Sequence, residues 1–341
     1  MVMVMGSAAQ ARSPLRMVSS AAAGCSTSYL AVPTSRHHLG RGYRRVSNLA
    51  ARSSSIKVSF QGVHGAYSEQ AAKKCYPDAT LVPCPDFETT HQQVADQSVD
   101  RAVIPVENSL GGSIHVNYDL LMRYRLHVIG EVYHKVRHCL LANPGVDKSA
   151  IRRVQSHPQA LAQCDGYLND LNGGVVKEAV DDTAGAAQGI SLDPKCRDVA
   201  ALASSLAGEL YGLDLLDRDC QDNDQNLTRF IVLSRDPQPI AEEAGVEYKT
   251  SIVFTAGDEP GDLFKALSVF ALRDLDLTKI ENRPIPAFIV DSMDSSELFQ
   301  NLFYVDFKGS LREEACQNAL RHLSEVSAFM RILGSYPADV F

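Results

Sequence analysis

Ala102-Val103-Ile104-Pro105-Val106-Glu107-Asn108-Ser109-Leu110-Gly111-Gly112-Ser113 is the stretch that decides the fold class. The apolar run Ala102-Val103-Ile104 reads as a buried strand. Beyond it, Ile114, Tyr118, Leu121 and Met122 recur at the spacing of one helix face. A carboxylate, an amide, two hydroxyls and two glycines therefore stand where a strand ends and a helix begins. In open α/β sheets this is where ligands bind. Glycines let the backbone approach a ligand closely, and free N–H groups at a helix start favour an anionic oxygen. An ordinary strand-to-helix loop with a good N-cap has the same composition, so the junction gains meaning only from similar ones elsewhere.

Working outward, Val58-Ser59-Phe60-Gln61-Gly62 reads as a first strand, with Ser68 as the N-cap of a helix over Glu69–Cys75. Leu81-Val82 opens a second strand, and Asp86 caps a helix over about residues 87–97. The strand ending at Val106 follows. This β-α-β-α-β alternation predicts a parallel sheet. Residues His127–Ala142 read as one extended segment, with Val128, Val132 and Val136 recurring along it. A second round begins with the strand Arg153–Ser156. Pro158 follows at a helix first turn, where its missing N–H is no loss. Leu161, Cys164, Leu168 and Leu171 give that helix one apolar face. A strand over Val175–Val180, a helix capped by Asp182-Thr183, the run Val199-Ala200-Ala201 and a helix around Ser204–Tyr211 complete it. Phe230-Ile231-Val232-Leu233 closes a body of two successive α/β lobes.

Asp236–Gly245, with two prolines and three acids, reads as a linker. The tail that follows has a different order. It places strands at Ser251–Thr255, Leu275–Glu281, Ala287–Val290, Leu298–Asp306 and Phe329–Leu333. Helices are predicted after Pro260-Gly261, with Leu263, Leu267 and Phe270 on one face, and over Leu311–Leu323. With the two middle extended pieces as one broken strand, the order is ferredoxin-like βαββαβ. Helices cover one face of such a sheet. The other face or an edge calls for a partner, which predicts a homo-oligomer, dimer or tetramer.

Charge is unevenly spread. Residues 1–55 hold seven Arg and no Asp or Glu among many Ser and Ala, the composition of an organelle transit peptide. Lys57 is the only other basic residue before Glu69, the first acid. Removing those eight from the 33 Lys and Arg leaves 25 basic against 41 acidic side chains, a net charge of −16. Such an acidic body argues against nucleic acid as a partner, and an anionic substrate must be held by local donors. No apolar stretch is long enough to span a membrane. The eight Cys show no CxxC pair and no zinc spacing, so they read as reduced, mostly buried small hydrophobes, and no metal is expected.

Four polar clusters fall at element junctions of the body. They are Glu107-Asn108-Ser109, Ser156-His157-Pro158-Gln159, Asp181-Asp182-Thr183 and Asn226-Leu227-Thr228-Arg229-Phe230. Each alone reads as a cap or turn. Four at strand ends in two lobes predict convergence on an interlobe cleft, the usual place of a small-molecule site.

These residues also carry a resemblance. Gly65-Ala66-Tyr67-Ser68-Glu69, Pro105-Val106-Glu107-Asn108-Ser109, Ser156-His157-Pro158-Gln159-Ala160-Leu161, Asp182-Thr183-Ala184 and Thr228-Arg229-Phe230 resemble, in order, the motifs of the arogenate/prephenate dehydratase family. The tail resembles that family's ACT domain. Gly261-Asp262-Leu263-Phe264 and Glu281-Asn282-Arg283-Pro284 stand where the family binds phenylalanine. His64 replaces a proline common in the family, and Asn282 replaces a serine. The resemblance covers roughly residues 56–337 and, with the leader, fits the plant plastid form.

The resemblance implies a plastid transit peptide over 1–55, a periplasmic-binding-protein-like catalytic body over 56–236, a linker over 237–247 and an ACT domain over 248–341. It implies a cyclohexadienyl acid, arogenate or prephenate, as substrate, which loses water and carbon dioxide. Aromatisation drives that reaction, so no cofactor is called for. It implies catalytic roles for Thr228, Glu107 and Asn108. Thr228 would donate a hydrogen bond to the leaving hydroxyl or relay a proton. Glu107 would orient Asn108 or Arg229, or attract the ammonium of arogenate. Ser109, Ser156, His157, Gln159, Thr183, Arg229 and Phe230 would bind substrate, Arg229 by gripping a carboxylate and Phe230 by packing. Gly261, Leu263, Phe264, Glu281, Asn282, Arg283 and Pro284 would bind L-phenylalanine as an allosteric ligand. Two other readings fit a two-lobed body: a small-molecule sensor, which closes on ligands without chemistry, and an inactive paralogue kept as a regulatory subunit.

Overall fold

The structure, a computed structural model, describes residues 55–240, 245–257, 259–285 and 301–339. Lobe 1 begins with β1 (Lys57–Gln61), α1 (Tyr67–Cys75), β2 (Thr80–Cys84), α2 (Phe87–Ala95) and β3 (Arg101–Asn108). Strands β2 and β3 flank β1, both parallel to it. Elements on both faces of this sheet explain why Val58, Ser59 and Phe60 are all buried instead of alternating. Asp86 caps α2 as expected, accepting from Thr89 N. Ser68 does not cap α1. Gly65, at φ +92°, turns the chain directly into a helix that starts at Tyr67, with Ala66 at its cap. Glu69 reaches back to accept from Gly65 N at 2.6 Å.

After β4 (Gly112–Ser113) and α3 (His115–Arg123), the expected single extended segment is two strands in different sheets. Strand β5 (His127–Lys135) stays in lobe 1, and β6 (Cys139–Ala142) opens lobe 2. Between them Val136 N bonds to Asn226 O at 2.8 Å, outside either ladder. Lobe 2 adds β7 (Arg153–Ser156), α4 (Pro158–Gln163), α5 (Asp165–Asp170), β8 (Val176–Ala179), α6 (Thr183–Ser191), β9 (Val199–Ala203), α7 (Ser205–Tyr211) and β10 (Asp214–Asp217). Its sheet runs β10-β6-β9-β7-β8. The predicted single helix after Pro158 breaks at Cys164 into α4 and α5. Leu161, Cys164, Leu168 and Leu171 still share one buried core.

The chain then returns to lobe 1. Strand β11 (Leu227–Ser234) inserts between β3 and β5, antiparallel to both, giving the order β2-β1-β3-β11-β5. Two crossings therefore join the lobes, before β6 and before β11.

The tail forms β12 (Tyr248–Thr255), α8 (Asp262–Ala271), β13 (Leu277–Pro284), β14 (Asn301–Lys308), α9 (Glu314–Val326) and β15 (Met330–Pro337), with sheet order β13-β14-β12-β15. The strand expected at Ala287–Val290 lies outside the described residues. Ala266, Val269 and Phe270 of α8 and Ala319, Leu320 and Leu323 of α9 cover one face of the sheet. The other face corrects an expectation. It is covered within the same chain, where Val253, Leu302, Tyr304, Leu333 and Tyr336 pack on Val106, Leu121, Leu126, Val128 and Ile231 of lobe 1. The fit is close at Gly334, where a Cβ would stand 1.9 Å from Val128 O.

Candidate active site

The ends of β3 and β11 are paired, Asn108 opposite Thr228 and Glu107 opposite Arg229. Side chains alternate across a strand. Asn108 and Thr228 accordingly line the cleft between the lobes, and Glu107 and Arg229 face the tail domain. The cleft is a cavity of about 340 Å³. Lobe 1 contributes Tyr67, Ser68, Asn108, Ile114, Thr228 and Phe230. Lobe 2 contributes His138, His157, Gln159, Gln163, Asp181, Asp182 and Thr183.

Asn108 organises the floor. Its amide nitrogen donates to Thr228 Oγ1 at 2.9 Å and to Asn226 Oδ1 at 2.8 Å. Its carbonyl oxygen accepts from Leu110 N at 3.0 Å and Gly111 N at 2.8 Å, folding the loop around itself. At Gly111 a Cβ would stand 1.7 Å from Gln159 Nε2, so a side chain there would displace the end of Gln159 from the cleft. Asn226 donates in turn to Gln163 Oε1 at 2.8 Å, and the same oxygen lies 3.0 Å from His138 Nε2. His138 Nδ1 lies 3.0 Å from Tyr67 Oη. Burial pulls the His138 pKa down. A neutral ring with its proton on Nε2 donates to Gln163 Oε1, while the Tyr67 hydroxyl beside Nδ1 also donates to Arg137 O at 2.8 Å. Because Leu110 N and Gly111 N hold the Asn108 carbonyl oxygen, its amide nitrogen faces Thr228, and this fixes the hydrogen-bond direction there. The Thr228 oxygen accepts from Asn108, and its own proton finds no acceptor among the described residues. Thr228 is 7% exposed, so that proton is offered to whatever occupies the cleft.

Of the residues expected to form the site, the structure brings Asn108, His157, Gln159, Thr183, Thr228 and Phe230 together. His157 is also the N-cap of α4, accepting from Gln159 N. Four are elsewhere. Ser109 clamps the loop before β11, donating to Gln225 O and accepting from Leu227 N. Ser156 is fully buried and donates to Leu202 O at 2.6 Å. Glu107 accepts from Lys279 Nζ of β13 at 2.9 Å. Arg229, expected to grip a carboxylate of the substrate, does not line the cleft. It lies behind β11, bonded to Glu131, Asp306 and the Tyr336 hydroxyl, while Lys249 also holds Glu131. Tyr67, His138 and Gln163 were absent from the expected site. A polar His138 between the apolar runs of β5 and β6 was the signal for one of them.

The tail residues also divide by strand alternation. Glu281 and Arg283 face lobe 1, on Ser113 and His115 and on Asp119 respectively. Asn282 and Pro284 are exposed. Gly261, at φ +93°, opens α8 on the helical face, where Leu263 and Phe264 (76%) are exposed. The sheet separates the two groups within one chain.

The prephenate dehydratase family model matches residues 58–238. A chloroplastic arogenate dehydratase/prephenate dehydratase 2 of Arabidopsis thaliana is 52% identical over 86% of this chain and 76% of its own. The chain belongs to the prephenate dehydratase family. Arogenate dehydratase 2 of Petunia hybrida is likewise 52% identical, over 86% of this chain and 75% of its own. A prephenate dehydratase of Arthrobacter aurescens, solved in complex with L-Phe, is 31% identical. It superposes with a TM-score of 0.73 over 84% of this chain and 93% of its own.

The electrostatics of the cleft are set by two acids. Among the described residues lining it there is no Lys or Arg, and the only formal charges are Asp181 and Asp182. Positive potential for a substrate carboxylate must come from dipoles. Helix α1 starts at the cleft with no side-chain cap, so its first-turn N–H groups can take an anionic oxygen.

Proposed function

We propose that this chain is an arogenate dehydratase of the plastid, converting L-arogenate to L-phenylalanine, carbon dioxide and water. The observation that carries this is the Thr228 hydroxyl, which lines the cleft with its oxygen accepting from Asn108 and so keeps its proton for a ligand. The bond from the ring to its carboxylate breaks and releases carbon dioxide. That electron pair completes the aromatic ring, and the C–O bond to the ring hydroxyl breaks. Thr228 hydrogen-bonds to the departing hydroxide as its charge develops, and solvent supplies the proton that makes it water. A donor aimed at developing charge acts mainly on the transition state. The α1 N-terminus, with Gln159, Thr183 and Ser68, holds the substrate carboxylates. Phe230 packs against the ring. Both plant relatives carry arogenate dehydratase in their names, and chloroplastic names among them support a plastid leader over 1–55.

Incubation with arogenate and with prephenate, followed by chromatography, tests the assignment. Phenylalanine is expected from arogenate at a higher kcat/KM than phenylpyruvate from prephenate. Comparable turnover of both would make the enzyme dual. Saturable binding with no product would favour a two-lobed sensor.

The tail serves as a phenylalanine sensor in a homo-oligomer. The exposed Leu263 and Phe264 and the Asn282 face of β13 would form the ligand site against a second copy. Lys279 on Glu107 and Asp306 on Arg229 tie that domain to the residues beside Asn108 and Thr228. Millimolar L-phenylalanine is expected to reduce the arogenate turnover severalfold. Unchanged activity at that concentration would remove the regulatory claim.

A further inference from the structure

We infer that Asp181 and Asp182 select the substrate by its ammonium group, making this cleft prefer the amino acid arogenate over its keto counterpart prephenate. The inference rests on the arogenate reading and deepens it. Both carboxylates lie in the turn between β8 and α6 and line the cleft from lobe 2. Asp182 commits one oxygen, Oδ1, to Gly185 N as the N-cap of α6. Among the described residues lining the cleft there is no Lys or Arg to neutralise either acid. From lobe 1 the buried Thr228 offers its proton to the same cavity. An occupant that satisfies both walls has a hydroxyl at one end and a cation at the other.

Arogenate has both. Prephenate carries two carboxylates and a ketone, so its side chain would bring only repulsion to the Asp pair. Both substrates carry the same two carboxylates, so the ammonium is what separates them, offsetting beside the Asp pair a repulsion that prephenate meets in full. Glu107, which the sequence offered for this role, is outside the cavity and paired with Lys279.

The test is the double variant Asp181→Asn/Asp182→Asn, assayed beside the wild type with arogenate and with prephenate. Asparagine is as good an N-cap as aspartate, so α6 is kept while both charges go. The ratio of kcat/KM for arogenate to that for prephenate is expected to fall about tenfold or more. The arogenate KM should rise and the prephenate KM fall. If the wild type makes phenylalanine from arogenate and the ratio does not move in the variant, the selection is carried elsewhere. If the wild type makes none, the arogenate reading itself fails, and this inference with it. Should the double variant not fold, Asp181→Asn, which touches no cap, must shift the ratio in the same direction, and an unchanged ratio there is equally decisive.

Discussion

Thr228→Ala is expected to fold normally and to lose on the order of 100-fold or more in kcat, the usual cost of removing one donor to developing negative charge. The variant loses the hydroxyl and the γ-methyl and keeps only the β-carbon. Asn108 keeps its bonds to Asn226 and to the Leu110–Gly111 loop, so the floor of the cleft survives. The KM for arogenate should change little, because the Thr228 proton meets the ring hydroxyl most strongly as it departs. Thr228→Ser should restore much of the rate, since it keeps the hydroxyl. Steady-state kinetics on the three proteins decide this. An alanine variant with near-normal kcat would mean that Thr228 only lines the cavity.

Arg229→Met should act on a different quantity, stability. Arg229 is 5% exposed and ties three carboxylate or phenol groups together at the join of lobe 1 and the tail. Glu131 retains Lys249 after the substitution, while Asp306 is left buried opposite a thioether. Breaking a buried pair from one side costs about 3–5 kcal/mol, which urea unfolding would read as a lower midpoint. Adding Asp306→Asn should recover part of that loss by removing the stranded charge. If Arg229→Met instead keeps its stability and raises the substrate KM, Arg229 reaches the substrate after all.

The contrast between these two neighbours shows where the sequence stops being informative. Thr228 and Arg229 stand in one motif, and polarity alone places both in the cleft. Strand alternation allows only one of them there, and the face is settled by what packs behind β11. Glu107 is decided in the same way, by a lysine 172 residues further on. Local signals did better where the cause is local. Asp86 and Asp182 cap the helices that follow them because their side chains meet N–H groups three residues on. The Tyr67–His138–Gln163 relay could not be read this way. Its members come from both lobes and from the crossing between them, and each alone resembles a surface or turn residue. The helix-free face of the tail sheet was visible as a face needing cover, yet only the tertiary arrangement says that lobe 1 supplies it.

The position of β11 also bears on how the chain is made. Strands β3 and β5 do not pair with each other; residues 227–234 fill the place between them. On the ribosome the first sheet therefore waits, open at its centre, while all of the second lobe is synthesised. That lobe has its own sheet, and its chain ends meet at the bond between Val136 and Asn226, so it can close before the first one does. Thr228 arrives on the strand that completes the first sheet. Nascent chains thus carry no dehydratase chemistry until both lobes exist, and the same late strand brings Arg229, the residue on which the tail domain then docks.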